Sequence, residues 1–236
     1  MNQRIIPTDA GSDGEANRRP EQHDPVRVWF TKGISFWAAL STILVKAQPN
    51  SVLEFGGGRS TTFLADYVED FGKVGITIEQ SDVWHKKIKD DLKFMAVKNY
   101  AVHHVPVTAT PMGPAWYDFA EVSRLIGDRT FDMVFVDGPV GEGRRNPHGQ
   151  EIIAKAARKA RLIIVDDVHR GPNLRFFSTL THGFAREGTF FCCYRQNLIA
   201  LAAAAEWIPV VRDTFQFLNL PYEHHFADAA SMLEAR

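Results

Sequence analysis

The chain has 236 residues, which fits one domain with trimmings. Hydrophobic residues make up 45% of it and the formal net charge is −1. A sizeable core is therefore available, and the balance argues against global disorder, a broad basic footprint for nucleic acid and an anionic membrane surface. The two cysteines, Cys192 and Cys193, are adjacent and badly placed to bridge one another, which suggests a reduced, cytoplasmic protein. The first 25 residues are too polar for a signal peptide, and no apolar run reaches membrane-spanning length.

In chain order, residues 1–25 are aperiodic and rich in Gly, Pro, Asp and Arg, and read as a tail. A single domain is expected over 26–236. Within it, 26–49 carry apolar residues at helical spacing and predict one or two N-terminal helices. Residues 50–205 alternate strand and helix signals, and 206–236 form a C-terminal extension. The predicted strands are SVLEF, KVGITIE, YAVHHVPV, FDMVFVD and RLIIVDD. The predicted helices are STTFLADYVED, SDVWHKKIKDDLKFMAV capped at Ser81 or Asp82, AWYDFAEVSRLI, HGQEIIAKAARKA, and one from about Asn173 to Thr181. TFFCCYRQNLIALAAA then reads as an antiparallel strand pair. Near-continuous apolar strands between amphipathic helices predict an α/β, Rossmann-like, doubly wound fold. Its sheet is expected to be mostly parallel and seven-stranded, with the antiparallel pair at its C-terminal end and helices before its first strand.

In such a sheet, ligands sit beyond the carboxyl ends of the strands. Acids stand at those ends: Glu54 beside Gly56, Gly57 and Gly58, then Glu79, Asp137, Asp166 and Asp167. The glycines permit close backbone approach to a ligand, although a plain strand-to-helix turn is the alternative. Glu79, ending the second strand, is placed to accept hydrogen bonds from ribose hydroxyls. The dinucleotide pattern G-x-G-x-x-G fails at Thr61, and Glu54 before the turn suits an ammonium group better than a phosphate. A ribose-bearing ligand with a cationic amino-acid end, such as S-adenosylmethionine, fits these residues better.

VLEFGGGRST followed by ITIEQ resembles the first two motifs of class I S-adenosylmethionine-dependent methyltransferases. FDMVFVDGP and ARLIIVDDV resemble that family's fourth- and fifth-strand segments. The resemblance implies a cofactor site drawn from Glu54, Gly56, Gly57, Gly58, Ser60, Thr61, Glu79, Gln80, Val107 and Asp137. In it, Glu79 would hold the ribose, and Val105, Pro106 and Val107 would flank the adenine. Asp137, Asp166 and Asp167 resemble the carboxylates of metal-dependent O-methyltransferases, which implies Mg2+ or Mn2+. His169, two residues after the Asp pair, is then the expected general base alongside Asp137, and Arg144 and Arg145 a clamp for an anionic substrate group. The alternatives are a helix cap for the Asp pair, a surface position for His169 and a solvated basic loop for the arginines.

The expected activity is O-methylation of a small hydroxylated acceptor: a sugar, a sugar acid or a phenol. A metal-independent N-methyltransferase and a non-catalytic nucleotide-binding protein of the same fold remain as alternatives. A small-molecule partner is expected, with no nucleic acid and no membrane, and a homo-oligomer is left open.

Overall fold

The computed structural model describes residues 34–111, 113–141, 143, 146–168, 171–181, 189–194, 197–218 and 222–225. The expected tail over 1–25 lies outside the described residues, as do His169, Arg144 and Arg145. The chain enters through helix α1 (Ile34–Ala47), then strand β1 (Ser51–Phe55), α2 (Arg59–Asp70), β2 (Val74–Glu79), α3 (Asp82–Phe94) and β3 (Tyr100–His104). Two short strands, β4 (Val107–Thr108) and β5 (Trp116–Tyr117), pair with each other. There follow α4 (Phe119–Ile126), β6 (Met133–Val136), α5 (Pro147–Ala157), β7 (Leu162–Val165) and α6 (Gly171–Thr181). The last described elements are β8 (Thr189–Tyr194), β9 (Asn197–Ala203), a 3-10 turn at Ala205–Trp207, α7 (Ile208–Phe217) and β10 (Tyr222–His225).

Local chemistry sets several boundaries. The Ser81 hydroxyl caps α3 by accepting from Trp84 N–H, with Asp82 in the first turn and Lys93 in the last, both favourable to the helix dipole. Asp118 caps α4 by accepting from Glu121 N–H at 2.8 Å. That cap corrects the expected helix AWYDFAEVSRLI: Trp116 and Tyr117 stand before it, as strand β5. Both rings are fully buried, and their backbone pairs antiparallel with β4. Asn146 caps α5, and its side-chain amide also donates to Thr110 Oγ1 and to the Pro114 carbonyl, tying the preceding loop down.

The main sheet runs β10-β8-β9-β7-β6-β1-β2-β3. The five strands from β3 to β7 pair in parallel. β9 reverses, and β8, antiparallel to β9, recovers the common direction. The sheet thus has eight strands, not seven. The extra strand β10 pairs antiparallel outside β8, which a short Tyr-Glu-His-His stretch does not advertise by alternation.

Side-chain parity separates two cores. Leu53, Phe55, Ile76 and Ile78 pack on one face, under α4, α5 and α6. Val52 and Tyr100 pack on the other, under α1, α2, α3 and α7. Glu54 and Thr77, out of step with the first set and opposite each other in register, therefore belong to the second face. The topology also fixes the rim. From β1 the chain moves outward through β2 to β3, then returns to the other side of β1 for β6 and β7. Strand order reverses between β1 and β6, and a crevice opens there at the carboxyl ends.

Candidate functional site

The crevice is a cleft of ≈ 510 Å³ lined by Gly56, Gly57, Glu79, Gln80, Ser81, Trp84, Asp137, Gly138, Val140, Gly141 and Asp167. This volume lies within the range of small-molecule pockets, roughly 300–1,000 Å³.

The turns after β1 and β6 meet backbone to backbone at its floor. Gly56 has φ +87°, and a Cβ there would sit 2.5 Å from Gly138 N. A Cβ on Gly138 would sit 2.4 Å from Tyr117 Oη and 2.7 Å from Gly56 Cα. Only glycine fits either position, because side-chain atoms never approach backbone so closely.

Glu79 builds the wall on the β2 side. Glu79 is only 4% exposed, yet it borders the cleft. Gly57 N–H donates to Oε2 at 2.6 Å and Ser81 N–H donates to Oε1 at 2.6 Å. One carboxylate thus pins the glycine turn and the start of α3 to the end of β2. Gln80 reaches across the cleft, its Oε1 accepting from Val140 N–H at 2.8 Å. Trp84, 46% exposed on the first turn of α3, presents an aromatic ring to the same space.

Asp137 and Asp167 face the cleft from the β6 and β7 side, and Asp167 holds a left-handed φ of 59°. Asp166 is 8% exposed and turns back on the chain, its Oδ1 accepting from Asp167 N–H at 2.7 Å. Among the described residues, no three His, Cys, Asp or Glu side chains come close enough together to hold a metal ion. Asp137, Asp166 and Asp167 are thus neighbours on the rim without forming the expected three-carboxylate set.

Of the expected cofactor residues, Gly56, Gly57, Glu79, Gln80 and Asp137 line the cleft, whereas Glu54, Gly58, Ser60, Thr61 and Val107 do not. Val107 is drawn away into the β4–β5 ribbon. Glu54 lies apart from the cleft lining. It is fully buried beneath the turn. Its Oε2 engages the hydroxyls of Thr61 at 2.7 Å and Thr77 at 2.6 Å, and Thr61 Oγ1 accepts from Gly58 N–H at 2.9 Å. Burial pushes the Glu54 carboxyl up to about 7; the hydroxyls of Ser60, Thr77 and Thr61 pull it back and nearby Glu79 adds to the rise.

Sequence reasoning missed Ser81, Trp84, Gly138, Val140 and Gly141 as lining residues. A signal existed for two of them. Trp84 is a large aromatic among the polar residues opening a helix, and Gly138 directly follows the strand-end Asp137.

No family model and no curated protein matches the chain. Solved structures do. A candidate O-methyltransferase from Klebsiella pneumoniae aligns with a TM-score of 0.51 at 20% identity, over 72% of this chain and 79% of that one. A candidate caffeoyl-CoA O-methyltransferase from Staphylococcus aureus aligns with a TM-score of 0.50 at 13% identity, over 72% and 83%. The O-methyltransferase from Bacillus cereus in complex with SAH is similar at a TM-score of 0.49 and 19% identity, over 71% and 80%. The chain has the Rossmann-like methyltransferase fold, as its strand order and the first two of these alignments show. Among the described residues, no helix is long and apolar enough to cross a membrane.

Proposed function

We propose that the protein is an S-adenosylmethionine-dependent methyltransferase acting on a hydroxyl oxygen of a small acceptor: a sugar, a sugar acid or a phenol. The observation that carries this reading is the Glu79 carboxylate, fixed by Gly57 and Ser81 N–H groups at the switch-point cleft. A rigid acceptor pair at the end of the second strand suits two adjacent ribose hydroxyls. The Trp84 ring supplies a face for a purine, and Asp137 with Asp167 supplies negative charge for a cationic end. Solved structures of this fold described as O-methyltransferases support oxygen as the acceptor atom.

Bound in the cleft, S-adenosylmethionine supplies an electrophilic methyl group, which leaves its sulfur as an acceptor oxygen forms the new C–O bond and releases its proton. The chain's contribution is chiefly orientation: Glu79, Gln80 and the glycine turn fix one partner so that the second meets it in line. Asp137 and Asp167 are the described carboxylates on the side where an acceptor proton would leave, and His169, just beyond them in sequence, is the further candidate base. A divalent ion such as Mg2+, which takes one or two carboxylates and keeps several waters, would be held there by Asp137 and Asp167. Turnover that survives EDTA assigns proton removal to the protein alone. Turnover lost in EDTA and restored by Mg2+ or Mn2+ assigns it to a metal.

Calorimetric titration with S-adenosylhomocysteine and with NAD tests the cofactor reading. S-adenosylhomocysteine is expected to bind and NAD is not. The reverse result overturns the proposal in favour of a dinucleotide enzyme.

A further inference from the structure

Glu79 and Gln80 follow one another at the end of β2, but they face the cleft in different ways. Glu79 commits its carboxylate to its own wall, through Gly57 and Ser81 N–H. The Gln80 side chain leaves that wall: its Oε1 accepts from Val140 N–H at 2.8 Å, on the loop after β6. Strands β2 and β6 are the two neighbours of β1. A bond between the chain leaving one and the chain leaving the other therefore passes across the carboxyl end of β1, where Gly56 and Gly57 turn. Gln80 and Val140 thus bridge the cleft at the switch point.

Both feet of this bridge are anchored. On the near side, Glu79 is pinned as above, and the Gln80 carbonyl oxygen lies 3.1 Å from His104 Nε2 at the end of β3. On the far side, Gly138 packs backbone to backbone on Gly56, and Asn146 N–H donates to the Gly143 carbonyl at 2.9 Å. Val140 and Gly141 stand between those two anchors, Gly141 with φ +74°. The bridging hydrogen bond is exposed to solvent, and the Val140 side chain is 69% exposed. One exposed hydrogen bond contributes little net, and ordering a glutamine side chain offsets much of that gain. Such a link can part and re-form while the backbone on either side stays in place.

We propose that Gln80 is the clasp of the cleft: its bond to Val140 N–H must part for a ligand to reach or leave the glycine turn, and it re-forms across the bound ligand. Gln80 then governs the rate of ligand exchange in both directions more than the affinity. The choice of S-adenosylhomocysteine as the ligand rests on the methyltransferase reading above; the clasp itself does not.

The test compares the full-length wild type with Gln80→Met, which keeps the side-chain length and loses the acceptor, and with Gln80→Glu, which keeps an acceptor for Val140 N–H. Association and dissociation of S-adenosylhomocysteine are followed by stopped-flow tryptophan fluorescence, with Trp84 in the cleft as the reporter. Both rates are expected to rise about fivefold in Gln80→Met, the factor that one net hydrogen bond holds shut, with the dissociation constant changed by less than about twofold. A side chain that only contacts the ligand would change dissociation alone. A change in one rate alone, or in neither, overturns the proposal. Amide hydrogen exchange at Val140, read on the ligand-free proteins, reports the clasp without any ligand. Exchange is expected to be about fivefold faster in Gln80→Met than in the wild type, and unchanged in Gln80→Glu. Equal exchange in the wild type and Gln80→Met overturns the proposal whatever the ligand does. If the exchange difference appears but S-adenosylhomocysteine binds to none of these proteins, the methyltransferase reading has failed and the clasp stands.

Discussion

The two walls of the cleft are built differently. On the β1–β2 side, backbone and side chains interlock: Glu79 takes both its hydrogen bonds from backbone N–H groups, and Gly56 leaves no room for a methyl group. On the β6–β7 side, three acids share one rim, but Asp166 turns back to Asp167 N–H and no described cluster gathers around an ion. The first wall is a fixed frame, which the proposed reading assigns to the methyl donor. The second offers charge and space, and its chemistry depends on what is brought to it. A fold that keeps its donor site and varies its acceptor site would be built this way.

Changes to the rigid wall should therefore cost most. Gly56→Ala forces a Cβ against Gly138 N at 2.5 Å in a left-handed backbone, and Gly138 can yield only by parting the two turns. A loss of about 3 kcal/mol or more in unfolding free energy is expected in urea titrations. A variant of wild-type stability would mean that the two turns are not locked together. Glu79→Ala removes the carboxylate that pins Gly57 and Ser81, and should weaken S-adenosylhomocysteine about 100-fold by calorimetry, or some 3 kcal/mol. Unchanged affinity would make the two walls equivalent and the contrast empty.

The pH dependence of stability sharpens the same contrast. Glu54 ionises in the fold only near about 7 instead of 4.5, so the folded chain holds this proton longer than the unfolded one. Its contribution is fully present below the unfolded value and is lost as pH rises through the folded one. Wild type and Glu54→Gln should thus unfold alike near the acid end of that window. Above it, the Gln variant should be the more stable, by something on the order of 3 kcal/mol. Equal unfolding curves at both ends would remove the buried charge from the account. The smallest effect is expected at the cleft mouth. Trp84→Ala should weaken S-adenosylhomocysteine by about 1–2 kcal/mol through lost stacking, with unfolding little changed because the ring is 46% exposed.

The sequence by itself determined the sheet and the rim. Apolar runs of strand length, four of the five parallel ones closing on or beside an acid, give a mostly parallel sheet and a rim at which Gly56, Gly57, Glu79 and Asp137 stand around one cleft. Those signals are local, and a buried parallel sheet leaves few other ways to read them. Only the tertiary structure decided which acids face the cleft. Glu54 and Glu79 both stand at the ends of apolar runs and lie on the same face of the sheet. Yet one ends under Thr61 and Thr77 and the other opens to the cleft. Likewise Trp116 and Tyr117 continue a helical pattern but fold as a strand, because β4 was there to pair with them. Orientation and partnership depend on what the rest of the chain packs alongside, and that packing has no short-range mark in the sequence.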